Sequence, residues 1–187
     1  MTSKASPEEL AELLARCALG DRKAFERLYQ ETAAQLFGLL LRIIRDQDLA
    51  SEALQEGYIR IWKHAGEFRA DKAKPMTWMG AIVRNYAIDL IRRSAHQPLI
   101  ADPIEDLTWL ADGGAGPPDL VDQAQWDQAL HDCLDQLEGG QRQAMLLAYF
   151  HGLTHEELAQ RLNAPLGTIK SWLRRGLGRL KKCLDNL

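Results

Sequence analysis

The chain has 187 residues, of which 26% are charged, and a formal net charge of −3; this length holds one domain or two small ones, each with its own core. No apolar run reaches the length of a membrane span or a signal peptide, which excludes an integral membrane protein and predicts a cytoplasmic one with no membrane contact of its own. Cys17, Cys133 and Cys183 are few, odd in number and widely spaced, so they predict neither a disulfide framework nor a zinc knuckle.

The first helix opens at Ser6-Pro7-Glu8-Glu9, with a capping Ser, Pro at the first helical position and Glu at the third. Leu10, Leu13, Leu14 and Cys17 form its apolar stripe, and Gly20 stops it. Asp21 caps a second helix in which Phe25, Leu28, Tyr29, Leu36, Leu39, Leu40 and Ile43 point inward. Asp46 or Asp48 begins a third, with Leu49, Ala53, Leu54, Tyr58, Ile61 and Trp62 as the buried seam. Its opposite face carries Asp48, Glu52, Gln55 and Glu56, with no basic residue before Arg60. Acidic groups near a helix N-terminus are favoured by the macrodipole, so this face by itself predicts only stability.

Phe68–Met76 reads as a basic loop containing Arg69, Lys72 and Lys74. A fourth helix starts at Pro75 or Thr77, with Trp78, Ile82, Ile88 and Ile91 as core candidates. Trp78, Asn85, Tyr86, Asp89, Arg92 and Arg93 put aromatic, amide and cationic groups on one element, a combination that can clamp single-stranded bases. Trp78 can equally be core.

Helical periodicity fails from Ala95 to Asp122, where prolines, glycines and acidic residues mark an extended linker. Trp109, between Leu107 and Leu110, is unusual there and predicts docking on something. Helix resumes at Gln123, with Trp126, Leu130, Cys133, Leu134 and Leu137 inward, and Gly139-Gly140 breaks it. Gln141–His151 is a further apolar helix through Met145, Leu146, Leu147, Tyr149 and Phe150. The fold class is therefore all-α, with two small helical domains at 1–94 and 123–187 joined by the linker 95–122.

The last stretch carries the clearest pattern. Thr154 and Glu157 form a capping box, Leu158 and Leu162 mark the buried side of a short helix, and Asn163 and Pro165 make the turn. Ile169, Leu173, Leu177, Leu180 and Leu184 then share one face of a longer helix. Between Leu158 and Leu184 there is no acidic residue, against seven Lys or Arg. A capped helix, a tight turn and a basic helix make a helix-turn-helix, whose second helix fits a DNA major groove about 12 Å wide. Gly176 and Gly178 are expected to weaken that helix by about 1 kcal/mol each. The charge is strongly asymmetric: residues 1–93 carry 15 basic and 13 acidic groups, 94–141 carry none and 10, and 142–187 carry 8 and 3. A basic end beside an acidic middle predicts an anionic partner.

Taken in order, LASEALQEGYIRIW (Leu49–Trp62), MTWMGAIVRNYAIDLIRR (Met76–Arg93) and GLTHEELAQRLNAPLGTIKSWLRRGLGRL (Gly152–Leu180) resemble bacterial RNA polymerase sigma factors of the extracytoplasmic-function (ECF) class. The resemblance covers the chain from about Asp21 to Leu184. It implies an initiation factor without catalytic activity, needing no cofactor or metal, whose partners are core RNA polymerase, promoter DNA and an anti-sigma factor encoded nearby. Asp48, Leu49, Glu52, Gln55 and Glu56 would dock on the polymerase clamp. The loop with Arg69, Lys72 and Lys74 and the helix bearing Trp78, Asn85, Asp89, Arg92 and Arg93 would melt the start-proximal element. That family flips a base into a pocket at this loop, where stacking and hydrogen bonding offset the lost base stacking. Thr168, Lys170, Ser171, Arg174, Arg175 and Arg179 would meet the upstream element. The acidic linker would thread the RNA exit path. Trp172 stands where family members often have Arg, which leaves the base contacts open. With nothing beyond Leu187, any sensory domain is expected on another protein.

Two other readings use the same residues. A stand-alone regulator would place the helix-turn-helix on duplex DNA, usually as a symmetric dimer, but has no use for the Trp78–Arg93 helix or the acidic linker. A metal site would use His151, His155 and Glu156, or His131, Asp132 and Cys133. Against it, Thr154 caps a new helix between the first two histidines, and the usual zinc spacings are missing.

Overall fold

A computed structural model of the chain describes residues 5–94 and 131–184, and among these every regular element is helical. The chain divides into two compact units, Met1–Pro98 and Leu99–Leu187. The expected linker with Trp109, and the expected core positions Trp126 and Leu130, lie outside the described residues.

The first unit contains α1 (Pro7–Ala18), α2 (Arg22–Ile44), α3 (Gln47–His64), a 3₁₀ turn (Ala65–Glu67) and α4 (Pro75–Ser94). The helix starts follow from local chemistry. Ser6 Oγ accepts from the Glu9 amide at 3.2 Å while Glu9 Oε2 accepts from the Ser6 amide at 2.7 Å, a reciprocal cap. Asp21 Oδ1 accepts from the Lys23 and Ala24 amides, and its other oxygen pairs with Arg16 at 2.7 Å. Arg16 foremost, with those amides, holds the Asp21 carboxyl below the usual carboxylate range. Between α1 and α2, Gly20 takes φ +83°, a conformation glycine reaches without steric cost. Asp46 caps α3.

Leu14, Leu28, Leu36, Leu40, Ile61, Met79 and Val83 are fully buried among these helices. Thr32 is buried with them and donates its hydroxyl to the Leu28 carbonyl at 2.6 Å. Its only proton is thereby used, so the Tyr58 hydroxyl, also 2.6 Å away, must be the donor in their mutual bond. Burial pushes the Tyr58 phenol up to about 12.

Three expectations shift in this unit. Tyr29 is 43% exposed, its ring lying against that of Tyr58 rather than inside the core. Leu49 leaves the buried seam and is 41% exposed. In α4 the buried line is Met79, Val83, Ala87 and Ile88, while Trp78, Ile82 and Ile91 are half-buried. At the close approach of α3 and α4 a Cβ on Gly57 would come within 2.6 Å of Val83 Cγ1, so the Val83 side of α4 is the one that faces α3.

The second unit contains helical residues 131–135, α5 (Gly139–Phe150), α6 (His155–Arg161) and α7 (Leu166–Leu184). Thr154 and Glu157 form the expected capping box, with bonds of 3.2 and 2.6 Å. Asn163 takes the left-handed φ of 47° at the turn. Leu147, Leu158 and Ile169 are fully buried, one from each of α5, α6 and α7, and Trp172 and Leu173 pack around them.

Four corrections apply here. The break between the two helices falls at residues 136–138, and Gly139 and Gly140 begin α5, where a Cβ on Gly140 would come within 2.8 Å of the Trp172 indole. Tyr149 is 47% exposed. Leu177 is 59% exposed, and the inward place in that turn belongs to the buried Gly176, whose missing Cβ makes room for Met145 Sδ at 2.5 Å. Gly176 is thus a packing requirement of α7. Finally, Cys133 and Cys183 are joined by a disulfide that ties residues 131–135 to the far end of α7, their Cα atoms 5.9 Å apart. Cys17 is free and buried, and burial raises its thiol to about 11.

Candidate nucleic-acid and polymerase interfaces

The outer face of α3 is built by its spacing. Asp48, Leu49, Glu52 and Gln55 are exposed, and Glu56 is half-buried with its carboxylate 3.1 Å from Arg60 Nε. Ile59 joins this face and is 46% exposed, a residue the hydrophobic pattern did not single out. Leu49, Glu52, Glu56 and Ile59 recur at steps of three, four and three residues, so two apolar groups bracket two carboxylates on one stripe. That spacing was the available signal for Ile59. Arg60 also lies over the Tyr86 ring, 4.6 Å from its centroid, and so connects this face to α4.

The loop between the 3₁₀ turn and α4 is an ordered turn. The amides of Lys72 and Ala73 donate to the Arg69 carbonyl at 3.1 and 3.2 Å. Phe68 and Trp78 close its base in an edge-to-face pair with ring centroids 5.6 Å apart. Trp78 is therefore half-buried against Phe68 at the base of the loop. Arg69, Lys72 and Lys74 are exposed and make no ion pair among the described residues. On α4, Asn85, Asp89, Arg92 and Arg93 are all exposed, and Arg84 Nη1 donates to Asn85 Oδ1 at 3.1 Å. With that oxygen engaged, Asn85 offers chiefly its NH₂ donors to a ligand.

In the helix-turn-helix, α7 is fixed on α5 by the Trp172–Gly140 and Gly176–Met145 contacts. Trp172 is thus half-buried between α7 and α5. The expected contact residues fall into three groups. Lys170 and Arg174 are exposed with no ion pair among the described residues. Arg175 is exposed and donates through Nε to Ser171 Oγ at 3.0 Å. Arg179 turns back, with Nη1 3.2 Å from Glu138 and 3.4 Å from the buried Gln141, and so clamps α7 to the start of α5. Thr168 is half-buried beside the turn, its amide donating to the Pro165 carbonyl at 2.8 Å.

Among the described residues no group of three His, Cys, Asp or Glu is placed to hold a metal ion, and no helix is long and apolar enough to cross a membrane. His151 sits at the C-cap of α5 and His155 starts α6.

Comparison with known proteins adds three findings. The family model "Sigma-70 region 2" matches residues 28–97, and "Sigma-70, region 4" matches residues 127–180. The chain is 35% identical over 186 residues to the ECF RNA polymerase sigma factor SigK of Mycobacterium ulcerans (strain Agy99), covering 95% of each chain. It is 33% identical over 185 residues to SigK of Mycobacterium tuberculosis (strain H37Rv), covering 95% of this chain and 94% of the relative. Among solved structures, Rhodobacter sphaeroides SigE in complex with the anti-sigma ChrR aligns at 32% identity and a TM-score of 0.47, covering 95% of this chain and 99% of that one.

Proposed function

Because the chain belongs to the ECF class of RNA polymerase sigma factors, we propose that its exposed surfaces divide the work of initiation among them. The chain is an alternative sigma factor, binding core RNA polymerase and directing it to specific promoters. In our reading α3 docks on the polymerase clamp, with Leu49 and Ile59 supplying apolar contact and Asp48, Glu52, Gln55 and Glu56 the polar surround. Lys170, Arg174 and Arg175 on α7 meet the upstream element in the major groove. The basic loop and the exposed groups of α4 hold the opened start-proximal strand, with cations on phosphates and Asn85 donating to a base edge.

Such a factor acts by binding energy alone and leaves bond making to the polymerase, so it has no catalytic activity of its own. Its place of action is the cytoplasm. An anti-sigma factor encoded nearby restrains it by covering the α3 and α7 faces. In the same reading the polymerase-binding and promoter-melting domain is 1–94, the promoter-recognition domain is 123–187, and the acidic segment 95–122 links them.

The observation that carries this reading is the outer face of α7. Lys170, Arg174 and Arg175 stand exposed on a helix that is locked in place from its other side. A pull-down with sigma-free core polymerase, followed by transcription from the promoter of the protein's own operon, tests it. Core binding and correct initiation are expected. Retention of duplex DNA without any polymerase binding would instead identify a stand-alone helix-turn-helix regulator.

A further inference from the structure

One exposed side chain on α7 is out of place on a surface made only for nucleic acid. Leu177 is 59% exposed, and Leu166, Lys170, Arg174, Leu177 and Lys181 recur at steps of four, four, three and four residues. That spacing sets them in one stripe along the helix. All five are exposed, and the three cations make no ion pair among the described residues. Phosphates would take up the cations and leave both leucines in water. A stripe of both kinds is complementary to a ligand that is acidic and apolar at once.

The chain carries a segment of that chemistry. Residues 94–141 hold ten acidic groups and no basic one, and within them Leu107, Trp109 and Leu110 stand among Glu105, Asp106 and Asp112. These residues lie outside the described ones and belong to the same unit as α7. The point from which the segment departs is fixed beside that helix. Residues 131–135 are joined to the far end of α7 through Cys133 and Cys183, whose Cα atoms are 5.9 Å apart. Leu177 lies six residues before Cys183, about 9 Å back along the axis. Leu110 precedes His131 by 21 residues, which span at most about 70 Å when extended, against about 28 Å for the whole of α7. A segment tethered this close has an effective concentration on the order of millimolar, so even a weak contact occupies the face.

We propose that in the free protein residues 104–112 dock on this stripe of α7, with Leu107, Trp109 and Leu110 covering Leu177 and the carboxylates meeting Lys170, Arg174 and Lys181. The factor thereby masks its own promoter-facing helix until core polymerase draws the segment away. The masking rests on the reading of α7 as the helix that meets promoter DNA; the docking does not.

The test uses the full chain with the photo-crosslinking residue benzoyl-phenylalanine in place of Trp109, irradiated without polymerase and mapped by mass spectrometry. A crosslink within one chain to α7, between residues 166 and 181, is expected, and it disappears when core polymerase is added. In parallel, fluorescence anisotropy measures how the free chain binds a duplex carrying the upstream element of its own operon's promoter. If nine molecules in ten are docked, Trp109→Ala tightens that binding by about tenfold. Crosslinks that fall on the first unit, or that join two chains, overturn the proposal, as does a crosslink to α7 that persists in transcribing holoenzyme. A crosslink to α7 combined with unchanged DNA affinity in Trp109→Ala would uphold the docking and remove the reading of this face as the one that meets the promoter.

Discussion

Tyr58 shows how a single side chain can set the limits of a fold. Its ring packs among Phe25, Tyr29 and the core of the first unit, and its hydroxyl completes the chain of bonds through Thr32 to the Leu28 carbonyl. Burial favours the neutral phenol, so the folded-state value of about 12 lies above the ordinary 10. For a raised value, the stabilisation is complete below the unfolded value and is lost as pH rises toward the folded one. Cys17 behaves alike, with a folded value of about 11 against 9. The first unit should therefore lose stability progressively above about pH 9. Tyr58→Phe should remove the upper part of that loss, between about pH 10 and 12, while costing about 1 kcal/mol at neutral pH for the bond to Thr32. Melting curves by circular dichroism at pH 8, 10 and 11 decide it; equal pH dependence in the variant would remove Tyr58 from the account.

At the scale of elements, helix starts were legible and helix contacts were not. Ser6 with Glu9, Asp21, and Thr154 with Glu157 announce themselves because a cap is written within four residues. Gly140 and Gly176 read as breakers or weak points because their function depends on Trp172 and Met145, residues of another helix. The inward place of Gly176 also explains why Leu177 was expected inside and stands outside. Three glycines can separate the two effects. At Gly178 an added methyl would meet nothing within 4 Å, so Gly178→Ala should stabilise the second unit by about 0.5–1 kcal/mol through helix propensity alone. Gly140→Ala meets a rigid indole and should destabilise by about 1–3 kcal/mol. Gly57→Ala meets stiff Val83 and should do the same to the first unit. Thermal denaturation gives each value, and a stabilising Gly140→Ala would show that Trp172 moves aside without cost.

The Cys133–Cys183 bond was illegible for a related reason. A pairing across a sequence separation of 50 residues has no local signature, and only the return of α7 alongside residues 131–135 brings the sulfurs together. Closing a loop of that length restricts the unfolded chain by up to about 4 kcal/mol in the chain-entropy view. Reduction should lower the melting temperature of the second unit and leave the first unchanged, with Cys133→Ser reproducing the effect without reductant. Identical melts before and after reduction would mean that the helix contacts alone set the stability of the second unit.

On the scale of the whole molecule, the charge asymmetry and the two separate cores point to functions that can be lost one at a time. The acidic α3 face belongs to the first unit and the basic α7 face to the second. The candidate site was legible in its residue types and spacings, but the sequence did not reveal which cations were already engaged, as Arg179 is, or that Ile59 stands exposed beside the carboxylates. This leads to an ordering among α3 variants. Binding energy concentrates in desolvated apolar anchors, whereas charges at a rim contribute less and are screened by salt. Ile59→Ala should therefore weaken core polymerase binding by about tenfold with little dependence on salt. Glu52→Ala combined with Gln55→Ala should weaken it less, and mainly at low ionic strength. Neither should change the upstream motif that surviving holoenzyme selects, whereas Arg174→Ala should weaken promoter binding and leave core binding intact. Fluorescence anisotropy of labelled protein with core polymerase, at two salt concentrations, measures the first pair of effects. A loss of polymerase binding in Arg174→Ala, or a change of motif in Ile59→Ala, would mean that the two faces do not act separately.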